Sequence, residues 1–134
     1  MNKRKLGNDY EDKACEYLES IGYIILDRNF RSKKGEIDII AKDGGTIVFV
    51  EVKYRQSNSF GYAVEAVDYR KQMVIYKVAE SYLNYIKKVD VPCRFDVIGF
   101  DNGIINHIKN AFGGMCLSHS TKCILSKYIF IHIF

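Results

Sequence analysis

Apolar residues recur with two different periods along this chain. Leu6, Tyr10, Ala14, Tyr17, Leu18 and Ile21 fall at i, i+4, i+8, i+11, i+12 and i+15, one stripe of an amphipathic helix that the pattern carries from Lys5 to Ser20 and stops at Gly22. The stretch from Tyr23 to Phe30 is rich in Ile, Tyr and Phe and predicts a strand, followed by the basic turn Arg31-Ser32-Lys33-Lys34-Gly35. Two more strands, Glu36 to Ala41 and Ile47 to Lys53, flank Gly44-Gly45. That pair is a hairpin signal, because both central residues of the tightest turns need positive φ. After a polar loop ending near Gly61, helical spacing returns at Val64, Val67, Val74, Ile75, Val78, Tyr82 and Ile86. Pro92 closes the next connection, Arg94 to Phe100 alternates as a fourth strand, Asp101-Asn102-Gly103 turns, and Ile104 to Ile108 supplies a fifth. The order is αβββαββ, without internal repeats.

Length and composition narrow this to one folded unit. The 134 residues, 48% hydrophobic and 27% charged with a single Pro, suffice for one core and lack the signature of disorder. The net charge of +4 permits a polyanionic partner without demanding one. Cys15, Cys93, Cys116 and Cys123 form no CxxC, and the start MNKRKLGNDYEDK has no apolar signal core. These features predict a reduced, cytoplasmic protein without zinc. The apolar stretch from Cys123 to Phe134 is interrupted by Lys127 and His132 and is shorter than the ~20 residues of a spanning helix, so no membrane span is expected. Neither GxxxxGK[ST] nor GxGxxG occurs, which argues against an NTPase or a dinucleotide enzyme. Residues 113–134 contain two Lys, two His and no acidic residue, and support no element assignment.

Folding the hairpin about Gly44-Gly45 makes opposite residues sum to 89, so Asp38 faces Glu51 and Glu36 faces Lys53. Alternation puts Glu36, Asp38 and Ile40 on one face with Phe49, Glu51 and Lys53, at Cβ separations of about 4.5–5.5 Å across the pair. Two carboxylates forced together are destabilising unless something compensates. Mg²⁺ does so naturally, binding one or two carboxylates plus water and substrate oxygens. Lys53 would point at the same volume, where it could orient or help deprotonate the attacking water and stabilise negative charge on a phosphorane-like transition state. The same spacing also describes a plain Glu36–Lys53 salt bridge with Asp38 in solvent.

Gly35-Glu36-Ile37-Asp38 followed by Phe49-Val50-Glu51-Val52-Lys53-Tyr54-Arg55 resembles the D…ExK core of the PD-(D/E)XK nuclease superfamily. With Arg94-Phe95-Asp96-Val97 and Asn110-Ala111-Phe112, the chain more narrowly resembles the YraN-like family of uncharacterised bacterial proteins, related to Holliday-junction resolvases. The match covers residues 5–112. It implies an α/β, restriction-endonuclease-like αβββαβ core, with a central mixed sheet flanked by helices and the ExK strand in the middle. The nuclease-like domain would be residues 1–112 and the C-terminal tail residues 113–134. Carried over residue by residue, the resemblance implies Asp38 and Glu51 as ligands of Mg²⁺ or Mn²⁺, Lys53 as the catalytic lysine, and Glu11 as the acidic residue that resolvases supply from the first helix. Glu11 also reads as a solvated residue on a helix flank. Ile37 stands where the superfamily name has Pro, which leaves the ligands untouched.

The resemblance thus points to a metal-dependent DNA endonuclease selective for junction or branched DNA, and by analogy to a homodimer. A non-catalytic nucleic-acid-binding module and a protein-interaction adaptor are the alternatives the fold leaves open. Arg28, Arg31, Lys33 and Lys34 precede the site, and Arg55 and Lys71 flank it; each suits a phosphate contact or a solvated surface. Tyr54 and Phe60 suit base stacking or core packing. His107, His119 and His132 have no paired ligand spacing and read as structural or surface residues.

Overall fold

The computed structural model describes residues 2–55, 67–88 and 91–112. Among these, α1 (Lys3–Ser20) precedes a hairpin series β1 (Ile24–Ser32), β2 (Gly35–Asp43) and β3 (Thr46–Arg55), and α2 (Tyr69–Tyr85) leads to β4 (Cys93–Asp101) and β5 (Ile104–Ile108). The strands lie side by side in chain order. β3 pairs parallel with β4 and every other pair is antiparallel. A parallel pair needs a crossover, and α2 lies in that connection. The outcome is an α/β fold, a mixed sheet flanked by helices, consistent with a restriction-endonuclease-like core and with β3 at its centre.

Each helix covers one face of the sheet. Tyr10, Ala14, Cys15 and Leu18 of α1 pack with Ile39, Ala41, Val48, Val50, Ile98 and Phe100. Ile75, Tyr76, Val78, Ala79, Tyr82 and Leu83 of α2 pack with Ile37, Ile40, Ile47, Phe49, Phe95 and Val97. The helices start where short polar side chains can take orphan amides: Asn2 accepts the Arg4 N–H at 3.0 Å and Asp68 accepts the Lys71 N–H at 2.9 Å. That cap delays α2 relative to the apolar periodicity. Val67 is buried in the core yet precedes the helix, and Val64 lies outside the described residues, as do Phe60, Cys116, Cys123, His119, His132 and all of 113–134. The hairpin turn takes positive φ at Gly44 alone (59°), whereas the Asn102-Gly103 turn takes it at both positions (50° and 83°). No helix among the described residues is long and apolar enough to cross a membrane.

The hairpin register sums to 89 from Ile39↔Val50 to Asp43↔Thr46 and then lapses. Beyond Ile39, β2 switches faces. Ile37 belongs with α2 and Ile39 with α1, although a regular strand puts i and i+2 on one side. The switch falls at Asp38, between the β1 pairs Arg28↔Ile39 and Phe30↔Ile37. Across that gap sits Asn29, left-handed at φ 54°. Glu36 is therefore not opposite Lys53 as alternation predicts; it ion-pairs with Arg31 at 2.8 Å instead.

At the opposite end of the sheet a buried polar network ties the elements together. Asp96, fully buried, accepts from Arg94 Nε at 2.8 Å and the Asn110 N–H at 3.0 Å, and pairs with His107 Nε2 at 2.8 Å. Arg94 reaches on to Asp43 at 3.0 Å and to the Tyr23 hydroxyl at 2.5 Å, and His107 Nδ1 lies 3.2 Å from the Tyr17 hydroxyl. Burial alone would raise the Asp96 carboxyl, but the bonds from His107, Arg94 and Asn110 outweigh it and hold it below the ordinary range.

Candidate active site

β3 carries Glu51 and Lys53 two residues apart on the face that packs α2. Glu51 is 4% exposed. Its Oε1 lies 3.6 Å from Lys53 Nζ and 3.5 Å from Lys71 Nζ, the latter from the first turn of α2. Its Oε2 is buried and has no hydrogen-bond partner among the described residues. Asp38 comes to this carboxylate because β2 leaves the ladder there: its Oδ2 accepts the Val52 N–H at 2.9 Å, a bond a regular strand would have filled with backbone. The break in β2 thus builds the site, and Asp38 and Glu51 meet as the spacing predicts, by a different route.

The Asp38 and Glu51 carboxyls meet closely enough for each to bear on the other's ionisation. Burial and then the Asp38 charge push Glu51 up to about 7, against the pull of Lys71 and Lys53. Burial also raises Asp38. Two buried acids side by side, both pushed toward their neutral forms, are a pair short of positive charge. A divalent cation would favour the charged form of both acids and give Glu51 Oε2 the partner it lacks, so the residues fit such an ion. Among the described residues no group of three or more His, Cys, Asp or Glu converges. Ligands beyond Asp38 and Glu51 would then be water and substrate oxygens, which is the habit of Mg²⁺.

Glu11 approaches from α1. Its carboxyl is raised by burial and by the charge on Asp38, and its Oε2 is also buried without a hydrogen bond. It is not the solvated flank residue. Arg28 is committed within the protein, 2.7 Å from Asp12 and 3.8 Å from Glu11, which removes it from the side chains available to phosphate. Arg31, Lys33 and Lys34 stand exposed at the β1–β2 turn. Arg55 closes β3 opposite Asp101. Tyr54 stacks on Tyr10 with ring centroids 4.5 Å apart, which is core packing rather than a base platform. Lys71 lies closer to the acid pair than sequence spacing suggests, because its position depends on how α2 seats on the sheet. Asn29 escapes the sequence pattern as well; a poor strand former inside a strand is its signal. His107 is buried against Asp96, on the structural side of its two readings.

Fold and site define an α/β protein of restriction-endonuclease-like architecture, with a paired acid and lysine cluster at the edge of the central strand. The family model described as uncharacterised protein family UPF0102 matches residues 10–100, and the chain belongs to that family. A UPF0102 protein of Caldicellulosiruptor saccharolyticus is 52% identical over 118 residues, covering 84% of this chain and 100% of the relative. Another from Fusobacterium nucleatum is 48% identical over 114 residues, 85% of this chain and 96% of the relative. A third, from Persephonella marina, is 52% identical over 106 residues, 79% and 91% of the two chains. Residues Glu11, Asp38, Glu51, Lys53, Lys71 and Asp96 all fall within the span of the family model.

Proposed function

We propose that this protein is a metal-dependent DNA endonuclease that hydrolyses phosphodiester bonds at junction or branched DNA. The observation that carries the reading is Glu51: a buried carboxyl raised by the neighbouring Asp38 charge, faced by two lysines, with one oxygen lacking a hydrogen bond among the described residues. Asp38 and Glu51 would hold Mg²⁺ or Mn²⁺, which when bound supplies Lewis-acid polarisation of the scissile phosphate. Lys53, its side chain 30% exposed and its Nζ 3.6 Å from Glu51 Oε1, would orient the attacking water and donate to a non-bridging phosphate oxygen. As the water oxygen bonds to phosphorus it gives up a proton to solvent, the ester P–O bond breaks, and the leaving oxygen takes a proton from solvent, giving a phosphomonoester and an alcohol. Lys71 adds positive charge at the same carboxylate and Glu11 sets the negative potential on the α1 side. Arg31, Lys33, Lys34 and Arg55 would bind phosphates flanking the cut.

The test is a cleavage assay over branched, single-stranded and linear DNA and RNA, with Mg²⁺, Mn²⁺ or chelator. Metal-dependent cutting of branched DNA by the wild type is expected. Lys53→Ala should abolish it while DNA affinity stays within severalfold, since Lys53 is assigned to chemistry. Undiminished cleavage by Lys53→Ala removes it from the mechanism. Tight DNA binding with no cleavage of any substrate means a non-catalytic binding module.

A further inference from the structure

β1 turns over together with β2. Arg28 reaches α1, its guanidinium 2.7 Å from Asp12, whereas Phe30 packs with the α2 core, its ring centroid 5.1 Å from that of Tyr82. Residues i and i+2 of a regular strand would share a face. The strands stay paired across the change, Arg28 with Ile39 and Phe30 with Ile37, so Asn29 and Asp38 form one switch point between them. Only one of the two has unusual backbone. Asn29 takes φ 54°, while Asp38 does not take positive φ.

Lys87, Asn102 and Asn110 also take positive φ, but each stands past the end of a helix or strand, where the chain turns. Among the described residues Asn29 is the one non-glycine with left-handed backbone inside a strand. Asparagine visits that region more readily than other side chains with a Cβ, because its short amide bonds locally. A β-branched residue, the usual strand former, is an outlier there. Packing does not call for asparagine either. The side chain is exposed and outside both cores, in the wall of a cleft that Arg4, Glu11, Arg31 and Glu36 also line.

The switch decides what the site contains. With regular alternation, the register seen from Ile39↔Val50 to Asp43↔Thr46 would continue to Ile37 opposite Val52 and Glu36 opposite Lys53. The Val52 N–H would then meet β2 backbone rather than a carboxylate, and Glu36 would face Lys53 as an opposite charge. Instead Asp38 Oδ2 takes the Val52 N–H at 2.9 Å, Arg31 holds Glu36 at 2.8 Å, and Lys53 is left to Glu51 at 3.6 Å. A salt-bridged hairpin and an acid pair faced by a lysine thus differ by one backbone conformation, stored at Asn29. We propose that Asn29 is the positioning residue of the acid pair: by turning β1 over, it holds Asp38 on the Val52 amide and keeps Glu36 from Lys53. What Asp38 and Lys53 then do rests on the nuclease reading above; their placement does not.

The experiment uses the whole chain, first in chelator. Asp38→Asn is introduced into the wild type, into Asn29→Gly and into Asn29→Val, and the Val52 amide resonance is followed in each. Glycine allows the left-handed backbone and valine opposes it. Asp38→Asn should move the Val52 resonance in the wild type and in Asn29→Gly. In Asn29→Val it should not, and cross-strand Overhauser contacts between Ile37 and Val52 should appear. Mn²⁺ affinity, read from the electron paramagnetic resonance of the free ion, should hold within about threefold in Asn29→Gly and fall about 10–100-fold in Asn29→Val, as for other residues that orient a metal ligand. Asn29→Ala makes the same comparisons if the valine chain does not fold. The proposal is overturned if Asn29→Val lowers the melting temperature but keeps the wild-type Val52 response or a measurable Mn²⁺ affinity equal to the wild type's, or if Asn29→Gly loses either. A wild type that binds no Mn²⁺ yet shows the expected Val52 pattern sustains the positioning and sinks the metal reading, so the two fail separately.

Discussion

Because burial and the Asp38 carboxylate push Glu51 up to about 7 from an ordinary 4.5, the folded chain keeps a proton between those two pH values that the unfolded chain has released. Stability falls with rising pH wherever the native state binds more protons. The Glu51 contribution is therefore a penalty, absent below the unfolded pKa, growing through the window from 4.5 to about 7, and fully present above it. Its ceiling is on the order of 3 kcal/mol, at 1.36 kcal/mol per pH unit. Glu51→Gln keeps the shape and stays neutral throughout. It should match the wild type near pH ~5 and exceed it by about 1–3 kcal/mol near pH ~8, in chemical denaturation with chelator present. Identical pH profiles for the two proteins would place the titration elsewhere. A divalent cation reverses the penalty in the wild type: at about ten times its dissociation constant, linkage gives ~1.4 kcal/mol. Glu51→Gln should gain little of that at constant ionic strength, and an equal gain would mean that the ion sits at another place.

At the scale of elements, the site depends on where α2 seats. Gly35 opens β2 with φ 153°, and a Cβ there would collide with the Val74 side chain. This close approach brings the first turn of α2, and with it Lys71, to Glu51. Gly35→Ala should destabilise by about 1–3 kcal/mol through overpacking, plus the strain of alanine at positive φ. Adding Val74→Ala should recover the overpacking part and leave the strain. Thermal melts of the single and double variants check this, and an unshifted Gly35→Ala melt would deny the close approach. Gly35 also marks what the chain reveals on reading. The period-2 and period-3.6 patterns are local, so the helices, the five strands and the register from Ile39↔Val50 onward are legible. The face switch at Asp38 is not, because it depends on Asn29 in the neighbouring strand. Nor is the pairing of Lys71 with Glu51, which depends on a helix packing across residues 20 positions apart. The Arg94–Asp96–His107 network left a faint signal, a charged pair at i and i+2 on one face of an otherwise apolar strand.

Over the whole molecule, charge is arranged by end. α1 opens with Lys3-Arg4-Lys5 and α2 with Arg70-Lys71 in its first turn; neither first turn carries an acid and neither last turn a base. This opposes the helix dipole, which favours anions at the N-terminus by about 0.3–1 kcal/mol each. Both openings lie at the site end: Lys71 at Glu51, and Arg4 in the cleft with Arg31 and Glu36. The turn bearing Lys33 and Lys34 stands there too, next to Arg31 and Glu36. A net charge of only +4 thus conceals a concentrated positive surface around two buried acids. A polyanion laid across that end relieves the helix-dipole conflict and releases its own counterions. Replacing Arg31, Lys33 and Lys34 together by Gln should weaken DNA binding and flatten the log-log salt dependence by up to ~0.9 for each phosphate no longer neutralised, ~2.7 if all three side chains neutralise one. The matched control replaces Lys42 and Lys88, which line an apolar pocket with Gly45 and Pro92 at the hairpin-turn end of the sheet. Their loss lowers the net charge by two but should leave the slope unchanged. Binding isotherms across a salt series separate the cases. If both variants flatten the slope in proportion to charge removed, attraction is diffuse and the site end has no privilege; if only the first does, the phosphates lie across the acid pair, where Lys53 can reach them.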